Sequence, residues 1–314
     1  VDLNELALRR CDELVDLALE LRVVILRSAD NTRIIDCGVH TEGGLEAGRA
    51  LAEVCLAALG RVEFAPPRSQ VGPWPTLLVT TDQPVAACMA SQYAGWQITG
   101  EGFFAMGSGP MRAAAGKEEL FARIGHRESP RSALGVLESA KLPTDEVCRK
   151  IAADVTVQPH DLTLLVARTA SLAGTVQVVA RSLETALHKM HEIGFDLERV
   201  VSGFGTAPLP PVAADDLAGI GRTNDAVLYG GEATLWVRGD DETIDRLGPQ
   251  IPSSASGDHG RPFAEIFRDA GGDFYQIDPL LFSPAVVTLV NLDTGRSRRF
   301  GRLEPEVLAR SFGS

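Results

Sequence analysis

The chain has 314 residues, a formal net charge of −12, and a composition of 45% hydrophobic and 23% charged residues. That length suggests two domains, and the apolar share is enough to build buried cores. The acidic balance, with Lys and Arg scattered, argues against nucleic acid as a partner, because phosphate binding needs clustered cations. The one basic cluster, Arg296 to Arg302 in GRSRRFGR, reads as a solvated hairpin or a subunit contact. No run of about 18 apolar residues is present, so no membrane span is expected. The N-terminal segment LNELALRRCDELVDLALELRVV is charged throughout and lacks the apolar centre of a signal peptide. Cys11, Cys37, Cys55, Cys88 and Cys148 form no CxxC pair and are odd in number, which fits a reduced, cytoplasmic protein whose thiols pack in the core.

Leu3 to Leu21 has helical spacing of Leu and Ala. LRVVILRS and TRIIDCGV, separated by ADN, predict a β-hairpin. GGLEAGRALAEVCLAALG predicts a helix ending at Gly60, and RVEFA and PTLLVTT predict strands on either side of the loop PPRSQVGPWP. QPVAACMASQYAGW is helical, FFAMGSGP is a strand entering a glycine loop, and SALGVLES is a buried strand ending in Glu138. PTDEVCRKIAADV predicts a helix with acids in its first turn, and DLTLLVART predicts a strand. After Asp196 comes the first strong boundary signal, FGTAPLPPVAADD, whose prolines suit neither a helix interior nor a central strand. AVLYG, ATLWVRG, AVVTLVNL and SRRFG then predict strands among two helical stretches. The fold class is α/β of the mixed α+β kind. We divide the chain into a discontinuous domain, 1–85 plus 205–314, and a second domain, 86–204.

Between DLTLLVART and that boundary, VQVVARSLETALHKMHEIGFD, Val176 to Asp196, predicts one helix with three faces. Val176, Val179, Ala180, Leu183, Leu187 and Met190 form the core stripe. Ser182, Thr185, Lys189 and Glu192 read as a solvent face. Gln177, Arg181, Glu184, His188 and His191 form a third stripe. It fits a solvated flank with an i,i+3 ion pair, or a general base, Glu184, kept ionised by Arg181. A metal set of Glu184, His188 and His191 fits poorly, since HxxH is not the HExxH pattern and no second ligand set is visible.

Other features are weaker. GSGP, Gly107 to Pro110, offers backbone N–H groups to an anion or is a plain turn. SQYAGW, Ser91 to Trp96, sets aromatics beside polar groups, which suits a flat ring or a core edge. Glu138 lies either at an exposed sheet edge or facing a ligand crevice. GRTNDAVLYGG places Arg222, Asn224 and Asp225 just before an expected strand, as a turn or a polar binding cluster. In DHGRPFAEIF, Asp258 reads as a loop or helix-start residue, because no nucleophile motif accompanies the Asp-His couple.

In order along the chain occur SQYAGW, FFAMGSGPMRA, SLAGTVQVVARSLETALHK, GFD, GRTNDAVLYGG, DHGRPFAEIF, GDFYQID, LFSPA and FGRLEP. Together these blocks resemble the methenyltetrahydromethanopterin cyclohydrolase family, especially its bacterial members in one-carbon metabolism, over essentially the whole chain. The resemblance implies two α/β domains with the active site in the cleft between them, and a homotrimer. It implies reversible hydrolysis of the N5,N10-methenyl bridge of tetrahydromethanopterin to the N5-formyl compound, with no metal or nucleotide cofactor. Arg181 and Glu184, in ARSLE, are then catalytic, and Glu138, in VLES, binds the amino-pyrimidine edge of the pterin. Gln92, Tyr93, Ser108, Gln177, Arg222, Asn224 and Asp225 are the further expected substrate-binding residues. The alternative is a tetrahydropterin-binding protein without catalysis, and loss of Arg181 or Glu184 would have favoured it. A redox pterin enzyme would carry a nucleotide fingerprint, and none is found.

Overall fold

A computed structural model describes residues 2–313, and of Tyr275 the backbone alone. The elements run α1 (Leu3–Asp16), α2 (Ala18–Leu21), β1 (Val24–Arg27), β2 (Arg33–Gly38), α3 (Leu45–Cys55), β3 (Gly60–Ala65) and β4 (Thr76–Thr81). A π-helix, Val85–Gln92, follows. Then come β5 (Trp96–Gly100), β6 (Phe103–Ser108), α4 (Met111–Ala115), α5 (Leu120–Ile124), β7 (Ala133–Glu138), α6 (Asp145–Asp154), β8 (Leu162–Ala167), α7 (Leu172–Val179) and α8 (Ser182–Glu192). The last part is β9 (Val200–Pro208), α9 (Asp216–Gly230), β10 (Glu232–Val237), α10 (Asp241–Leu247), α11 (Phe263–Asp269), β11 (Val286–Asn291), β12 (Ser297–Gly301) and α12 (Pro305–Phe312). The fold is mixed α/β with two compact units, Val1–Gly60 plus Ala86–Gln177 and Arg61–Val85 plus Val178–Ser314.

The first unit is built on a sheet ordered β1-β2-β8-β7-β6-β5. β2, β8 and β7 run parallel at its centre, and the remaining pairings are antiparallel. Central strands covered on both faces need apolar residues at every position. β8, LTLLVA, is buried throughout, and β7 is buried up to Glu138, which emerges half-exposed at the strand's carboxyl end. Alternation divides the core. Ile35, Leu134, Val136 and Leu165 pack with Ala7, Leu14, Leu51 and Val54 of α1 and α3. Ile34, Leu137, Leu164 and Val166 pack with Val147 and Ile151 of α6. The Thr144 hydroxyl caps α6 by accepting from the Val147 amide at 3.3 Å.

The second unit carries a sheet ordered β12-β11-β10-β9-β4-β3, in which β10 and β11 pair in parallel while β11–β12, β9–β10 and β4–β9 pair antiparallel. Asp215 caps α9 by accepting from the Ala218 amide at 2.8 Å.

Strand pairing groups the chain differently from the expected division at 85 and 205. The hairpin β1–β2 joins β8 through a parallel pairing of Arg33 to Gly38 with Thr163 to Ala167, so it belongs with 86–177. The proline-rich segment expected to mark a boundary, Phe204 to Asp216, begins inside a nine-residue strand that pairs on both sides, β9 between β4 and β10, and Pro208 is that strand's last residue. Its prolines end a strand of the second unit. AVLYG, expected as a strand, is the last part of α9.

Candidate active site

The helix expected to run unbroken from Val176 to Asp196 is two helices. α7 ends at Val179, and Arg181, with φ −91° and ψ 10°, opens α8. The Arg181 amide bonds back to the Val178 carbonyl at 3.2 Å, an i to i−3 tightening, and the Arg181 carbonyl accepts from the Thr185 amide at 2.9 Å. This puts Glu184 in the first turn of α8, where the helix dipole favours a carboxylate. Arg181 Nη1 lies 3.7 Å from Glu184 Oε2, and the two side chains are only 7% and 5% exposed. An ion pair this deeply buried loses much of its Coulomb gain to desolvation, so stability alone does not account for it. Its charges are also little screened by salt, so they act strongly on whatever binds beside them.

The expected core stripe, Val176 to Met190, is buried at every position. The expected solvent face is not exposed as a whole. Glu192 is exposed, but Ser182 and Lys189 are buried. Ser182 lies over β9, where a Cβ added to Gly205 would sit 2.4 Å from its Oγ. Glycine at 205 therefore lets the first turn of α8 rest directly on the sheet. Lys189 Nζ donates to the Leu280 carbonyl, and burial pulls its pKa down to about 8 against the opposing pull of Asp278. The half-buried His188 has its Nε2 3.7 Å from Glu192. Among the described residues no three His, Cys, Asp or Glu side chains come together as a metal-ligand set.

Glu138 ends β7 in register with Ala167 of β8, at the carboxyl ends of the parallel strands. Such ends are where open α/β sheets bind ligands. The Thr169 hydroxyl donates to Glu138 Oε1. Gln177 is buried on α7.

Gln92 closes the π-helix and is buried. Tyr93, half-buried, has the Arg112 guanidinium 4.8 Å from its ring centroid. Arg112 is fully buried. It is held by Glu118 through Nε at 2.9 Å and through Nη2, and by the Met89 and Ser91 carbonyls through Nη1 at 3.0 and 3.3 Å. Neither the π-helix nor Arg112 was marked by the sequence. A π-helix has no distinctive periodicity in eight residues, and Arg112 becomes notable only once burial is known. Ser108 is also buried, with its Oγ 3.3 Å from Cys55 Sγ. The loop of Gly107 to Pro110 does not offer its amides freely, because the Gly109 amide donates to the Ser91 carbonyl at 2.9 Å.

Arg222, Asn224 and Asp225 lie within α9 and not in a turn before a strand. Arg222 Nη1 donates to the Pro211 carbonyl at 3.2 Å, and Asn224 Nδ2 to the Ile220 carbonyl at 2.9 Å. Asp225, fully buried, accepts from the Phe263 amide at 2.8 Å, where α11 begins. Burial raises its pKa to about 7, and the Ser311 and Phe263 hydrogen bonds oppose the rise. Arg222 and Asp225 thus tie α9 to neighbouring segments of the second unit, and Asn224 bonds within α9 itself. Asp258 lies in a loop, as expected. The basic cluster of 296–302 is satisfied locally: Arg296 pairs with Asp241, Arg298 with Asp245, Arg299 with Glu232 and Arg302 with Glu304.

The fold and these residues define a two-unit α/β protein with a buried guanidinium–carboxylate pair opening one helix and a second acid at the carboxyl end of a central strand. Residues 2–312 match the family model described as "Cyclohydrolase (MCH)". Among curated relatives, the methenyltetrahydromethanopterin cyclohydrolase of Methylobacillus flagellatus is 50% identical over 99% of this chain and 95% of its own length. That of Xanthobacter autotrophicus is 50% identical over 93% of this chain and 87% of its own. The protein of the same name from Methanosarcina barkeri is 41% identical over 100% of this chain and 98% of its own. The chain belongs to the methenyltetrahydromethanopterin cyclohydrolase family.

Proposed function

We propose that this chain hydrolyses N5,N10-methenyltetrahydromethanopterin reversibly to N5-formyltetrahydromethanopterin, with Glu184 as general base and Arg181 as its partner, and without metal or nucleotide. The observation that carries the assignment of roles is the buried pair, 3.7 Å apart, at the start of α8. Names shared by relatives of 41–50% identity over nearly the whole chain support the reaction.

The chemistry needs little more than a base. The methenyl carbon lies between two nitrogens in an amidinium-like cation and is already electrophilic. Water attacks that carbon as Glu184 takes one of its protons, giving a neutral hydroxyl adduct. Glu184 then returns that proton to N10 as the carbon–N10 bond breaks. The adduct's hydroxyl proton leaves to solvent, so one proton is released per turnover and the formyl group stays on N5. The carboxylate also attracts the cationic substrate, while Arg181 tempers that attraction and orients the carboxylate. Base catalysis of this kind contributes roughly 10²–10⁴-fold.

The test follows loss of the methenyl chromophore with chelator-treated protein. Glu184→Gln, folded normally, is expected to lose roughly 10²-fold or more in kcat. Full turnover by that variant would remove Glu184 from the base role. Tight pterin binding without turnover by the unaltered protein would make it a carrier.

A homotrimer fits the exposed apolar edge of the first unit. Val24, Ile25 and Leu26 of the edge strand β1 are 37–45% exposed, and Leu19 of α2 is 92% exposed. Light scattering should give three chains per particle, and a monomer at working concentration would refute the assembly. No described helix is long and apolar enough to cross a membrane. The five free thiols support a reducing, cytoplasmic location.

A further inference from the structure

We propose that Thr169 is a positioning residue for substrate recognition, fixing the plane of the Glu138 carboxylate so that it accepts two adjacent N–H donors of a flat 2-aminopyrimidinone ring. This rests on the reading of Glu138 as the ring-binding acid.

The terminal torsion of a glutamate is broad and nearly free. A carboxylate at the end of a strand therefore presents its plane in many directions unless something holds it. Glu138 is held at one oxygen. Thr169, the second residue beyond the end of β8, is buried and donates its hydroxyl proton to Oε1. An ionised carboxylate only accepts, so the direction of this bond is fixed. Among the described residues Oε2 takes no hydrogen bond, and Glu138 is half-exposed. One oxygen is thus anchored while the carboxylate keeps open acceptor positions.

The anchor itself is rigid. The Thr169 carbonyl accepts from Thr175 Oγ1 at 3.2 Å. Ser171 Oγ donates to the Arg168 carbonyl at 2.7 Å and accepts from the Gly174 amide at 3.0 Å. A Cβ at Gly174 would lie 1.9 Å from the Arg168 carbonyl oxygen, and one at Gly38 would lie 2.4 Å from Ser171 Oγ. Only glycine at both positions lets the turn between β8 and α7 close this tightly. Its effect is to hold a donor at a set place beside Glu138. Two parallel N–H groups on a ring edge meet both oxygens of a carboxylate only when ring and carboxylate are coplanar. Fixing that plane before binding removes an ordering cost from association.

The experiment measures KM and kcat with methenyltetrahydromethanopterin for Thr169→Val, Thr169→Ser and Glu138→Gln, and for Thr169→Val combined with Glu138→Gln. Valine keeps the shape and removes the hydroxyl. Its expected effect is a KM increase of roughly tenfold, the size of one lost hydrogen bond to a charged group, with kcat within twofold. Thr169→Ser is expected to restore KM to near that of the unaltered protein. In the Glu138→Gln background, where only a neutral amide oxygen is left to accept the hydroxyl, Thr169→Val should raise KM by clearly less. An unchanged KM in Thr169→Val, or the same increase in both backgrounds, would overturn the proposal, since a packing role does not depend on the Glu138 charge. Glu138→Gln with an unchanged KM would defeat the ring-binding reading itself, and the proposal with it.

Discussion

Glu138 and Asp225 are two acids expected from the sequence to bind substrate, Glu138 at the ring edge and Asp225 as part of a turn or polar cluster, and the structure treats them in opposite ways. Glu138 ends a central parallel strand, half-exposed, with one side-chain donor on one oxygen. Asp225 sits inside α9, fully buried, with the first amide of α11 on Oδ1. Asp225 Oδ1 caps a neighbouring helix inside the second unit, whereas the carboxylate of Glu138 reaches the surface at a strand end and keeps open acceptor positions. A carboxylate's residue type does not decide between binding and scaffolding. What decides is whether backbone donors reach it first, and that depends on which elements pack together.

The comparison is broken or sharpened most strongly by removing each acid in turn. Glu138→Gln should raise KM by roughly tenfold or more and leave Tm nearly unchanged, because a half-exposed strand end contributes little to packing. Asp225→Ala should do the reverse. It strands the Phe263 amide in a buried setting, at a cost of roughly 1–3 kcal/mol, which thermal unfolding would show as a Tm lower by several degrees. Per folded molecule, kcat and KM should stay at their original values. A Tm loss for Glu138→Gln, or a KM change for Asp225→Ala, would erase the distinction.

A smaller effect marks the buried Asp225 through pH. The folded Asp225 keeps its proton up to about 7, while the unfolded chain releases it near the ordinary aspartate value of 3.8. Between those values the folded state binds more protons, so Asp225 makes stability fall as pH rises from about 4 to about 7. Its surroundings, Ser311, Phe263, Glu265 and Arg310, are all included in that balance. Denaturant unfolding across this window should show a shallower fall in Asp225→Asn, which has no charge to bury. An identical pH slope in the variant would place the coupling elsewhere.

The sequence made several elements legible for plain reasons. β7 and β8 are continuous apolar runs because both faces are covered, and the core stripe of α7 and α8 keeps its period through the break. Arg181 and Glu184 were visible because three residues' separation places them together on a helix, and here they remain paired although the helix restarts between Ala180 and Ser182. The break itself has no proline or glycine to announce it. AVLYG has the β-branched and aromatic content of a strand but continues a helix capped eleven residues before it, at Asp215, and tertiary packing overrides its propensity. The grouping of the hairpin β1–β2 with β8 depends on pairing between residues about 130 apart, which no local pattern encodes.

Lys189 is the residue whose placement the helical wheel misjudged most, and it gives the finest test of whether the faces of α8 act independently. It follows Glu184 by five residues, roughly 140° around the helix at about 100° per residue. It is buried, with its Nζ on the Leu280 carbonyl and its pKa lowered to about 8 by burial. In the unfolded chain the same group keeps its proton to the ordinary lysine value of 10.5, so between about 8 and about 10.5 the unfolded state binds more protons. Lys189 therefore makes stability rise as pH climbs through that window, and below it the cost of the buried charge is constant. Lys189→Met, similar in length and uncharged, should remove that rise and be at least as stable near neutrality, since it takes a poorly compensated charge out of the interior. Its kcat at neutral pH should match that of the unaltered protein, because Glu184 faces the other way. A drop in kcat without a change in KM would mean that Leu280's hold on Lys189 sets the rotation of α8 and, through it, the aim of the Glu184 carboxylate.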